Sequence, residues 1–202
     1  MPTLPFPPGF LWGAATSSHQ VEGGNSNNDW WDWEKRVQSK EKHSGEACDQ
    51  WHRWPEDAEL IKELGHNAHR LSLEWSRIEP EEGVFNEDAL AHYRQLLKTP
   101  RTDDIRTGGT RQHVTNPMWW AASGGWTQSC VVKRYTRYAE KALTYLGNEI
   151  DYLITINEPG VYAFMSYQIG AWPPQRTSKR DMLRVLWNMA RAHRAAYRRI
   201  KQ

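Results

Sequence analysis

A carboxylate at the end of an apolar segment is the feature of this 202-residue chain that most directly suggests chemistry. Residues 151–156 read as a short apolar strand that runs into Asn157-Glu158-Pro159, so Glu158 is expected at the rim of a sheet. A carboxyl with one side against protein and the other toward a ligand is partly desolvated, which raises its pKa and suits it to general-acid catalysis near neutrality. The same carboxylate could instead cap the helix that follows, and Asn-Glu-Pro alone leaves both uses open.

Other residue types narrow the chemistry. Cys48 and Cys130 are far apart and in no CxxC context, and His19 and His69 lack metal-ligand spacing, so free thiols and no metal site are expected. No dinucleotide glycine fingerprint or phosphate loop occurs, and no cofactor is expected. Tryptophan is frequent, at 12 residues, and Trp30, Trp31, Trp33, Trp119, Trp120 and Trp126 fall in predicted loops. Indole planes stack on sugar faces, although each of these is individually the better packing residue.

Elements must position these groups. Residues from Phe10 form an apolar then small and polar run, expected to be a first buried strand; 23–50 reads as a long aperiodic loop. A helix is expected from Pro55 to Gly65, then a strand within 66–76, then a helix from an Asn86 N-cap through Leu97. The third strand should fall between Lys98 and Asn116, yet Thr99 to Thr110 holds one large apolar residue and makes a poor buried strand. Helical spacing returns over 131–146 and 180–201, with Met189 and His193 read as core residues of the last helix. Four βα units follow, the rhythm of a parallel α/β fold whose chemistry gathers after strand C-termini.

The formal net charge is +2, from 26 basic and 24 acidic residues in no long single-sign block, so nothing calls for nucleic acid or a membrane as partner. No run approaches a membrane span and no signal-peptide pattern opens the chain, so a cytoplasmic protein is expected.

Four segments occur in order at predicted strand ends: Phe10-Leu-Trp-Gly-Ala-Ala-Thr-Ser-Ser-His-Gln-Val-Glu-Gly, Asn67-Ala-His-Arg-Leu-Ser-Leu-Glu-Trp-Ser-Arg-Ile-Glu-Pro, Thr155-Ile-Asn-Glu-Pro and Gly170-Ala-Trp-Pro-Pro. Together they resemble glycoside hydrolase family 1, the retaining β-glycosidases, over the chain apart from about 99–114. The resemblance implies an α/β TIM (β/α)8 barrel, of which residues 1–202 would be a single N-terminal part with about the first four βα units. Segment 99–114 diverges and reads like the family's helix end and strand in a shifted frame.

The resemblance also implies roles. Glu158 matches the general acid/base, Asn157 the amide beside it that holds the sugar 2-hydroxyl, and Gln20 the bidentate ligand of two glycone hydroxyls. His113 falls at the position of a glycone-binding histidine, although Val114 stands where the family usually has an aromatic residue. Arg70 matches the arginine beside the nucleophile, and as a lone arginine could equally belong to a structural ion pair. A retaining mechanism needs a second carboxylate about 5 Å from the first. In the family it lies on the seventh strand in a Glu-Asn-Gly motif, absent from this chain, and Glu22, Glu74 and Glu79 match no nucleophile position. The expectation is a β-glucosidase-like hydrolase of β-linked glycosides by resemblance, with the isolated chain inactive. The alternative is a non-catalytic sugar-binding or self-associating half-barrel, or one that pairs with a C-terminal half.

Overall fold

The structure, a computed structural model, describes residues 5–101 and 104–201. Its centre is one four-stranded parallel sheet in the order β1 (Gly13–Ala15), β2 (Ala68–Ser72), β3 (Arg106–Gln112) and β4 (Tyr152–Ile156). Sequence neighbours are sheet neighbours throughout, so each crossover carries the chain one strand onward, as in the first half of a (β/α)8 barrel. Five longer helices are α1 (Asp29–Val37), α2 (Gln50–Glu63), α3 (Glu87–Arg101), α4 (Val131–Leu146) and α5 (Lys179–Ile200).

Several elements form where the local sequence dictates. Asn86 caps α3 by accepting from the Ala89 N–H at 3.1 Å, and Ser178 caps α5 by accepting from the Asp181 N–H at 3.2 Å. In α4, Val131, Tyr135, Tyr138, Ala139, Ala142 and Leu146 are buried at helical spacing. The core packs the apolar sides of the helices on the outer face of the sheet, with Trp75 stacked on Tyr138 at 4.7 Å between ring centroids.

Four expectations change. The first strand is exposed, not buried, because β1 is a sheet edge. The supposed loop after Gly23 contains α1, and α2 starts at Gln50 with Pro55 inside it, across a kink at Arg53. The unpromising segment after Lys98 supplies the last turn of α3 and then a seven-residue strand, while Thr102 and Asp103 lie outside the described residues. His193 is exposed, its Nδ1 2.7 Å from Thr155 Oγ1, whereas Met189 is core as read.

Strand β3 forms because both neighbours hold it. Gly108 is opposite Arg70 on β2 and Tyr152 on β4, and Thr107 donates from its N–H to Asp151 Oδ2 at 2.8 Å. Residues 107–112 are all buried although they comprise Thr, Gly, Arg and Gln. Arg111 is 1% exposed beside Tyr135 and Tyr138, with no hydrogen-bond partner for any guanidinium nitrogen, and the Gln112 amide is likewise unpartnered.

Candidate active site

The strand C-termini are tied together through buried Glu74, which follows β2. Its carboxylate accepts from Ser18 Oγ (2.9 Å) and Asn25 Nδ2 (2.8 Å) after β1, Ser76 Oγ (2.8 Å), and Thr115 Oγ1 (2.9 Å) after β3. Four donors on one buried carboxylate fix three loops relative to one another. A second tie joins buried Asp29, at the start of α1, to Asn116, whose N–H and Nδ2 donate to it at 2.8 and 2.7 Å. Burial pushes the Asp29 carboxyl up to about 7, against the lowering effect of those donors.

Over this platform opens a cleft of about 410 Å³ whose lining includes Gln20, Trp30, Glu34, His113, Glu158 and Trp172. Three of the residues singled out by sequence, Gln20, His113 and Glu158, thus converge from the loops after β1, β3 and β4. Gln20 is exposed and accepts from Ser17 Oγ at 2.5 Å. Burial, then the nearby Arg70 cation, holds His113 below the ordinary imidazole range, so it is neutral at pH 7.

Arg70 and Asn157 do not line the cleft; they bind each other immediately beside Glu158. Arg70 Nη2 donates to Asn157 Oδ1 at 2.6 Å, and Arg70 Nε donates to Thr110 Oγ1 at 2.7 Å. With its oxygen engaged, the Asn157 amide is left with its NH2 as the group to offer a ligand. Arg70 has no ion-pair partner among the described residues; burial lowers its pKa, and Glu158 is the carboxylate that acts on it electrostatically.

Glu158 occupies the position before a short helix, Pro159–Ala163, yet its side chain makes no capping hydrogen bond. Its backbone is left-handed, at φ 42, a conformation that disfavours any side chain. The carboxylate is exposed rather than half-covered as the sequence suggests. It follows β4, an open edge of the sheet.

Glu34, His19 and Trp172 are additional wall residues. Burial acts to raise the Glu34 carboxyl, but the Ser44 N–H and hydroxyl, with His19, hold it below the usual carboxylate range. The signals for α1, which carries Glu34, were present: an Asn28 side chain accepting from Trp30 and Trp31 N–H groups, acids in the first turn and bases in the last. Of the loop tryptophans, Trp30 lines the cleft and meets Trp172 edge-on at 5.4 Å, whereas Trp33, Trp120 and Trp126 are core residues. Trp119 donates to the Glu79 carbonyl at 2.9 Å, and Trp31 lies beneath Lys35. Among the described residues no cluster of His, Cys, Asp and Glu could hold a metal ion.

Comparison with known proteins follows the same lines. The family model described as Glycosyl hydrolase family 1 matches residues 3–202. The chain is 33% identical over 196 residues to a β-glucosidase of Agrobacterium sp., covering 93% of this chain and 43% of that one. Cytosolic β-glucosidase of Homo sapiens is 30% identical over 187 residues, covering 85% and 39%. Among solved structures, a β-glycosidase from Pyrococcus horikoshii superposes with a TM-score of 0.90 at 40% identity, covering 96% of this chain and 45% of that one. A β-glucosidase from Thermotoga maritima in complex with cyclophellitol gives 0.93 at 30% identity, covering 97% and 47%. The chain spans less than half the length of each of these relatives.

Proposed function

The chain belongs to glycosyl hydrolase family 1, and from that membership we propose that its cleft is the acid/base side of a retaining β-glucosidase-like site for β-linked glycosides. The observation that carries the reading is the convergence of Gln20, His113 and Glu158 on one cleft with the Arg70–Asn157 pair beside it. In this reading Glu158 protonates the leaving glycosidic oxygen, and Asn157 donates to the hydroxyl next to the anomeric carbon. Gln20 and neutral His113 hold the glycone, and Arg70 stands ready to pair with a nucleophilic carboxylate that these residues do not supply. Protonation of the leaving group by a placed acid contributes about 10² to 10⁴ in rate.

By itself the chain is proposed to have negligible turnover, because bond cleavage with retention needs the second carboxylate. Assays on 4-nitrophenyl β-glucoside should show no hydrolysis above background; turnover that disappears with Glu158→Gln would overturn that part. Co-expression with the C-terminal half of the Thermotoga maritima enzyme is the complementary arm. The restored kcat/KM, which reports the bond-cleaving step, should fall at least a hundredfold with Glu158→Gln on an alkyl glucoside and much less on a dinitrophenyl glucoside, whose leaving group needs no proton. Equal losses on both substrates would remove Glu158 from the acid role.

A second reading has its own observation. Strands β1 and β4 are both open edges, with Phe10, Leu11 and Trp12 exposed near one and Val161 and Phe164 near the other. Open edges favour self-association or pairing with a complementary half-barrel. Light scattering distinguishes a self-associating half-barrel from a monomer, and calorimetric titration with cellobiose distinguishes a sugar-binding piece from an inert one.

A further inference from the structure

Helix α5 carries seven basic residues and one acidic residue, Asp181, in a chain whose net charge is only +2. Their spacing matters more than their number. Arg180, Arg184, Trp187, Arg191, Arg194, Arg198 and Lys201 follow one another at intervals of four, three, four, three, four and three residues, which places them on one face of the helix. All seven are exposed, while Val185, Asn188, Met189, Ala192 and Ala196 on the opposite side are buried. At 1.5 Å per residue the row is about 32 Å long.

The row is also uncompensated. The carboxylates that touch the helix are engaged off this face, Asp181 with Arg176 at 3.0 Å and Glu140 with Arg199 at 3.5 Å. Among the described residues, Arg180, Arg184, Arg191, Arg194 and Arg198 have no ion-pair partner. Apolar groups accompany the strip: Trp187, within the row, is 67% exposed, and on its flank Leu183 is 54% and Tyr197 51% exposed.

We propose that the outer face of α5 is a docking surface for an anionic phospholipid bilayer. The straight positive row matches a flat field of negative headgroups, and protruding Trp, Leu and Tyr side chains enter the interfacial layer, where such residues partition favourably. A duplex nucleic acid would satisfy the arginines, but its phosphate ridges give Leu183 and Trp187 no apolar layer to enter, which favours lipid as the occupant. Linear sequence hides this surface: the basic residues are separated by apolar ones, so no single-sign block appears until the helix sorts them. No helix among the described residues is long and apolar enough to cross a membrane, and the mode proposed is lateral contact. It is independent of the reading of the cleft.

Co-sedimentation of the full chain with vesicles of phosphatidylserine and phosphatidylcholine, against vesicles of phosphatidylcholine alone, tests it. Binding is expected only to the anionic vesicles and should weaken as salt rises. Each basic group near such a surface strengthens binding about fivefold. Arg191→Ala/Arg194→Ala/Arg198→Ala should therefore weaken it on the order of a hundredfold, and Trp187→Ala should weaken it separately. These side chains are exposed and unpaired, so circular dichroism and unfolding temperature should be unchanged. Three outcomes would each overturn the proposal: no binding to anionic vesicles, unchanged binding by the triple variant, or displacement from vesicles by duplex DNA at matched phosphate concentration.

Discussion

At position 158 the backbone sits at φ 42, and the side chain makes no capping hydrogen bond. A side chain in that region costs about 1 kcal/mol relative to glycine. Strain of this kind is held in place by its surroundings, here Asn157 bonded to Arg70 on one side and Pro159 starting a helix on the other. Glu158→Gly should therefore stabilise the chain by about 1 kcal/mol in urea unfolding while removing the carboxylate; a loss of stability would mean that the side chain has a structural role. Arg111 presents the opposite conflict: a buried guanidinium with no partner, whose ionisation burial disfavours. Arg111→Met keeps most of the volume and removes the charge, and should raise stability by about 3 kcal/mol in the same measurement. That a residue so costly occupies the third strand supports our proposal that 99–114 is a frame-shifted segment; source nucleic acid without a compensating pair of insertions and deletions would count against it.

Among the elements, β1 is the shortest strand and the one that aims Ser17 and Gln20 at the cleft. Its pairing with β2 is close: a Cβ at Gly13 would lie 2.0 Å from the Ala68 carbonyl oxygen, a backbone atom that cannot step aside. Gly13→Ala is expected to open the β1–β2 ladder and destabilise the chain by about 2 kcal/mol or more. The corresponding readout is increased amide exchange at Ala15 and Thr16, where the Thr16 N–H now donates to the Arg70 carbonyl at 2.9 Å. Helices α4 and α5 and strand β4 were legible from periodicity to within a residue or so. Strand β3 was not, because propensity is a weak guide where both neighbouring strands impose pairing. Helix α1 was missed because three tryptophans in a polar stretch obscure the apolar period, although its cap and charge pattern were in plain view.

For the molecule as a whole, buried titratable groups set the pH response. Burial pushes Glu22 up to about 8, despite Arg77 at 2.8 Å and the Tyr93 hydroxyl, and Asp29 up to about 7. An acid whose folded pKa is raised binds a proton more tightly in the folded state, so its contribution is present at low pH and lost as pH climbs through that value. His69, lowered to about 4 by burial and by His66, acts in the other direction and only below its ordinary value of 6.5. Between pH 6.5 and 8 these two carboxyls both act to lower stability as pH rises, and the unfolding midpoint should fall. Glu22→Gln should flatten that slope, and an unchanged slope would remove Glu22 as its source. The sequence by itself determined the family and the parallel α/β half-barrel, and it singled out Glu158, Asn157, Gln20, Arg70 and His113 as candidates, because motifs and periodicities are local. Tertiary structure decided that Glu34, His19 and Trp172 join the cleft, that Arg70 turns the Asn157 amide, and that the arginines of α5 form one face. Those facts depend on residues far apart in sequence, or a full helical turn apart, coming to lie side by side, and only the packed chain brings them together.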